Sequence, residues 1–260
     1  MILEDFQLED FSQLSTLNSQ LSTNLYKAVF IDIDDTLLDY IPCCREAFDA
    51  AMQEIRDMHH TDLTEDELFD LFFSISGRLF SEAKHGLHTV AEVMELYPQE
   101  FVATIGYPDT AVEPFKQAFR ANWGKTHTLV PGAKETLQAL KQKGYRLFAA
   151  SNSFGHLQRS RLEYAGLLPY FEDTYISMDI GYDKPDIRFY QEALRRCQLS
   201  PDEVVMVGDS MTTDILGAIN AGLKAIYFNR RPQEKTGSDT DEHTHAYKEI
   251  RSLDVLVNIF

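Results

Sequence analysis

Short, uninterrupted apolar runs recur along this chain and alternate with segments of helical periodicity. KAVFID at 27–32 is the first, followed by YRLFAAS at 145–151, DTYIS at 173–177, EVVMVGD at 203–209 and KAIYF at 224–228. Runs of this kind are expected of strands covered on both faces of a parallel sheet. Between them, apolar residues fall at helical spacing over 133–143, 157–165, 187–197 and 213–221. Gly144, Gly166 and Gly222 stand just past three of these segments, where helices commonly stop. The alternation predicts right-handed crossovers and an open, doubly wound α/β parallel sheet.

From about residue 40 to residue 128 the alternation breaks. The stretch has no comparable strand and reads as helices. Thr64/Glu67, Thr89/Glu92 and Thr110/Glu113 each match the Thr-x-x-Glu capping box, in which side chain and backbone satisfy each other's free groups. Leu68, Leu71, Phe72, Ile75 and Leu79 then recur on one helical face. These patterns predict a core domain made of 25–39 and 129–260, with an all-helical cap domain inserted at 40–128. Phe72, Phe73, Phe80 and Trp123 are expected mainly in the core of that insertion rather than as a pocket lining.

Residues 1–24 are polar, with SQLST at 12–16 returning at 19–23, and are expected to form a flexible tail. After Asn229 a polar loop is expected as far as Glu249, before SLDVLVNIF closes the chain as a final helix. Asp241, His243 and His245 lie in that loop without a recognised ligand spacing, so a metal cluster there is not expected.

Composition narrows the function. With 24 Lys+Arg against 41 Asp+Glu the formal charge is -17, which disfavours binding to a nucleic acid polymer. A small anionic substrate is still compatible, because one lysine and a divalent cation reverse the potential inside a single pocket. Cys43, Cys44 and Cys197 do not suggest a disulfide framework, and no apolar run approaches membrane-spanning length. A cytoplasmic protein with no membrane partner is expected. Oligomeric state is not legible.

In an open parallel sheet, ligands bind at the carboxyl ends of the strands. The first apolar run ends in Asp32-Ile33-Asp34-Asp35-Thr36 and the second in Ser151-Asn152. The third is followed by Lys184-Pro185, and the fourth ends in Gly208-Asp209 with Asp214 beyond. Taken singly these are weak signals. Their order along one sheet edge makes them a candidate site.

Together FIDIDDT, AASN, the lysine of YDKPD and VGDSMTTD resemble the four signature motifs of the haloacid dehalogenase superfamily, over about residues 26–229. The helical insertion after the first motif resembles that superfamily's first type of cap. DIDDTLLDY, with Asp35 where many relatives have glycine, is similar to the small-molecule phosphatase branch that contains pyrimidine 5′-nucleotidases.

The resemblance implies that Asp32 is the nucleophile and Asp34 the general acid and base. It also implies that Lys184, the Ser151 hydroxyl and the Asn152 backbone bind the phosphate. Mg2+ would be held by Asp32, the Asp34 carbonyl and Asp209, with Asp214 in support. The implied partner is a small phosphorylated metabolite, with nucleoside 5′-monophosphates the leading substrate class. A sugar-phosphate phosphatase or phosphomutase, a 2-haloacid dehalogenase and a non-catalytic phospholigand sensor remain as alternatives. Arg45, Arg78, Lys84, His85 and His88 are candidates for substrate recognition, though most are expected on solvated surface.

Overall fold

The computed structural model describes residues 26–231 and 247–260. The predicted tail at 1–24 and the triplet Asp241, His243 and His245 lie outside the described residues.

Six strands pair in parallel: β1 (Ala28–Ile31), β2 (Arg146–Ser151), β3 (Asp173–Ile176), β4 (Val204–Gly208), β5 (Lys224–Phe228) and β6 (Tyr247–Ile250). Their spatial order is β3-β2-β1-β4-β5-β6. The sheet therefore grows from β1 first on one side and then on the other, which places its switch point between β1 and β4. In register, Val29 stands opposite Leu147 and Val205.

Alternate side chains feed two cores. One face packs Val29, Ile31, Leu147 and Val205 against Leu137, Leu140 and the C-terminal Leu253 and Leu256. The other packs Phe30, Phe148, Tyr175 and Met206 against Phe189 and Tyr190. Phe30 meets the rings of Phe148 and Tyr175 edge-on at 5.7 and 5.5 Å, a favoured aromatic geometry.

Four of the helices between β1 and β2 build the insertion: α1 (Tyr40–Ile55), α2 (Glu65–Lys84), α3 (Val90–Thr104) and α4 (Val112–Trp123). They close around an aromatic cluster that includes Phe48, Phe72, Phe101 and Phe115 and takes in Leu157 from a later helix. The capping boxes at Thr64/Glu67 and Thr89/Glu92 both form. The one expected at Thr110/Glu113 does not. A 3-10 turn over Asp109–Ala111 leads into α4, so its N-cap, Ala111, already has helical φ/ψ of −80/−17. A capping side chain needs the extended backbone that Thr110 lacks inside this turn.

The remaining helices are α5 (Ala133–Gln142), α6 (Gly155–Tyr164), the short α7 (Ser177–Ile180), α8 (Ile187–Cys197), α9 (Gly217–Asn220) and α10 (Leu256–Ile259). Gly144, with φ 89, stops α5 in the left-handed region that side chains resist.

Two further expectations are corrected. The segment before α9 begins earlier, as wide π-type turns over Met211–Leu216, in which the Ser210 carbonyl accepts from both Asp214 N and Ile215 N. The end of the polar loop is strand β6, whose YKEI is too polar to read as a covered strand but pairs at the sheet edge beside β5. Among the described residues no helix is long and apolar enough to cross a membrane.

Candidate active site

β1 ends at Ile31, and the chain then bends through Asp32 to Leu38. Leu37 N and Leu38 N both donate to the Ile33 carbonyl, and Asp35 N donates to Leu38 O at 2.8 Å. Asp35 takes a φ of 56, which a short polar side chain tolerates better than a bulky one. The bend lets Asp32 and Asp34 both reach the carboxyl edge of the sheet.

Lys184, from the loop before α8, is buried there with three acceptors. Its Nζ donates to Asp32 Oδ1 at 2.7 Å, Asp214 Oδ1 at 2.6 Å and the Ala150 carbonyl at 2.7 Å. Asn152 holds this loop: its Nδ2 donates to the Lys184 carbonyl and its Oδ1 accepts from Lys184 N, both at 2.8 Å. Asp214 is anchored in turn by Ser210 N, which donates to Oδ2 at 3.0 Å.

Asp32, Asp209 and Asp214 each offer a carboxylate oxygen within 4.8 Å of the others. Burial, opposed by the Lys184 ammonium and reinforced by Asp214, pushes the Asp32 carboxyl up to about 8. Burial, with Asp32 and Asp214 nearby, holds Asp209 well above the ordinary carboxylate range. Burial works against the Lys184 ammonium, but Asp214 and Asp32 outweigh it and raise its pKa. The arrangement is over-rich in negative charge, and its all-oxygen donors fit a hard cation such as magnesium.

Asp34 faces different partners. Arg161 Nη1 donates to its Oδ1 at 2.6 Å and Gln158 Nε2 to its Oδ2 at 2.7 Å. Gln158 Nε2 also reaches Ser151 Oγ at 2.9 Å. Neither Gln158 nor Arg161 stands out from sequence motifs. Their signal is that they occupy the buried face of α6 with Leu157 and Leu162, where apolar residues are expected.

A cavity of about 370 Å³ opens between these strand ends and the helices of the insertion. Asp32, Asp34, Ser151, Asn152, Lys184, Asp209 and Asp214 line its floor. Tyr40, Phe72, Phe73, Phe80, Phe119 and Trp123 line its walls, so aromatics expected as core serve both purposes. His88 and Asp183 also reach it. Arg45 and Arg78 do not: they form ion pairs with Asp49 and Asp66, and with Glu82 and Glu100, on the surface. His85 is exposed and bonded to the Ser81 carbonyl.

The sequence profile of the haloacid dehalogenase-like hydrolases matches residues 26–222. The chain belongs to this family. Among its relatives is the glyceraldehyde 3-phosphate phosphatase of Methanothermobacter thermautotrophicus, 32% identical over 90% of this chain and 95% of the relative. The pyrimidine 5′-nucleotidase PynA of Streptococcus pneumoniae is 28% identical over 86% of this chain and 93% of its own. In structure, this haloacid dehalogenase-like hydrolase is similar to the HAD-hydrolase YfnB of Bacillus subtilis, solved with bound magnesium. That match has a TM-score of 0.77 and 28% identity, covering 90% of this chain and 98% of the other.

Proposed function

We propose that the protein is a magnesium-dependent phosphatase of nucleoside 5′-monophosphates. The observation that carries the substrate class is the cavity: acidic and lysine groups at its floor, aromatic rings on its walls. A phosphate at the floor leaves the rest of the ester among rings, which suits a planar base better than the hydroxyls of a triose.

Asp32 attacks phosphorus in line, forming an Asp32 O–P bond as the ester O–P bond breaks. Asp34 gives a proton to the departing alkoxide, then removes one from the water that hydrolyses the aspartyl-phosphate and frees Asp32. Lys184, 2.7 Å from Asp32, keeps the nucleophile oriented and offsets charge on the phosphoryl oxygens. The Ser151 hydroxyl and the Asn152 backbone bind the phosphate. Asp32, Asp209 and the Asp34 carbonyl, with Asp214 behind them, would hold magnesium, which supplies positive charge to the phosphate. Asp34 also favours ester hydrolysis over dehalogenation, since a halide leaves without a proton.

The test is phosphate release from nucleoside monophosphates, triose and hexose phosphates and phosphoglycolate, with magnesium and with a chelator. Magnesium-dependent release strongest on nucleoside monophosphates is expected. Preference for a sugar phosphate would overturn the substrate class, and undiminished release under chelation would overturn the metal.

A further inference from the structure

Arg161 is an unusual residue to find where it is. It is fully shielded from solvent, and a buried guanidinium is costly unless paired. Its Nη1 pairs with Asp34 Oδ1 at 2.6 Å and also donates to Gln158 Oε1 at 2.8 Å. That second bond orients the Gln158 amide: with Oε1 facing the arginine, its NH2 faces Asp34 Oδ2 and Ser151 Oγ. Two donors from one helical face therefore grip both oxygens of a carboxylate that otherwise sits on a bent loop.

The grip extends to the helical insertion. The Arg161 guanidinium lies 3.9 Å from the centroid of the Trp123 ring. Trp123 ends α4, lines the cavity and stacks on Phe119 with centroids 5.9 Å apart. A ligand pressing on this aromatic wall touches the residue on which Arg161 rests.

We propose that Gln158 and Arg161 are the positioning pair that aims the Asp34 carboxyl at the ester oxygen, and that Trp123 ties this aim to the insertion. The proposal rests on the phosphatase reading above. Arg161 acts through Asp34, Gln158 through Asp34 and the Ser151 hydroxyl, and neither touches a reacting atom. Near-attack geometry is sensitive to displacements of about 1 Å, and general acid catalysis is worth about 10²- to 10⁴-fold.

The test compares kcat/KM for uridine 5′-monophosphate and p-nitrophenyl phosphate, because kcat/KM reports steps through leaving-group departure. An alkoxide needs the proton from Asp34, whereas nitrophenolate leaves without one. Arg161→Met is expected to lower kcat/KM for uridine 5′-monophosphate at least about tenfold more than for p-nitrophenyl phosphate. Arg161→Lys is expected to recover part of that difference. Gln158→Met, a milder change, is expected to show the same skew and serves if Arg161→Met does not fold. Trp123→Leu, which keeps the wall apolar, is expected to show it too.

Equal losses on the two esters in the arginine and glutamine variants would mark a purely structural role and overturn the proposal. An unskewed Trp123→Leu would overturn the link to the insertion. A wild type silent on both esters would instead overturn the phosphatase reading, and this proposal with it.

Discussion

Lys184 Nζ donates to Asp32 Oδ1 at 2.7 Å although 152 positions separate the two residues in the chain. The contact joins the carboxyl end of the central strand β1 to the loop before α8, and places a cation against the candidate nucleophile. From this pair, with Asp34, Asp209 and Asp214 around it, several outcomes are expected.

Asp32→Asn should abolish phosphate release while keeping the fold, because the amide preserves shape but is a poor nucleophile. Asp34→Asn should reduce turnover by about 10²- to 10⁴-fold, the usual worth of a general acid and base. Phosphate release assays with thermal melts of both variants check this. Wild-type turnover in either one would refute the assigned roles.

Metal and pH should be linked. The folded Asp32 has a pKa of about 8 against an ordinary 3.8, so the folded state holds a proton that the unfolded state releases. That contribution is complete below about pH 4 and is lost as pH rises through about 8, so this group destabilises the metal-free protein over that window. Magnesium binding to the deprotonated cluster, as proposed, should raise the melting temperature more at pH 8 than at pH 5. At a hundredfold excess over Kd a ligand adds about 2.7 kcal/mol. A magnesium shift independent of pH would contradict the linkage.

Gly208→Ala should impair catalysis more than folding. A Cβ at Gly208 would lie 2.3 Å from Asp214 Oδ2 and 2.7 Å from Asp214 Cβ, so Asp214 must move. Asp214 anchors Lys184, and misplacing such a group by about 1 Å costs on the order of 10²-fold in rate. Kinetics beside a circular dichroism melt would show whether turnover falls while the fold persists.

Arg230→Leu should loosen the start of the helical insertion. Asp39, the residue before α1, accepts from Arg230 Nη1 at 2.7 Å and Nη2 at 2.8 Å, and the arginine holds its carboxyl below the ordinary range. A bidentate, half-buried pair of this kind supports a loss of about 1–2 kcal/mol. The paired Asp39 contributes stability above about pH 4, lost as pH falls through its lower folded value. Denaturant melts of wild type and variant should therefore differ at pH 7 and converge at the acid end.

The sequence by itself determined a good deal. Apolar runs covered on both faces are legible without tertiary context, and five of the six described strands were read from them. The polar residues at their carboxyl ends were legible for the same reason, since a buried run that stops at a carboxylate marks the sheet edge. The capping boxes at Thr64 and Thr89 are local devices and formed as local devices do.

What only the tertiary structure decided depends on neighbours distant in sequence. Tyr247–Ile250 is a strand because β5 offers it an unpaired edge, not because YKEI favours one. Thr110 is no cap because the preceding turn had already wound the backbone. Arg161 sits in the interior because Asp34, 127 positions earlier, neutralises it there, and the aromatic residues wall a cavity because the insertion packs over the strand ends. Periodicity reports which face of an element is buried; it does not report which charge or cavity the other side of the burial supplies.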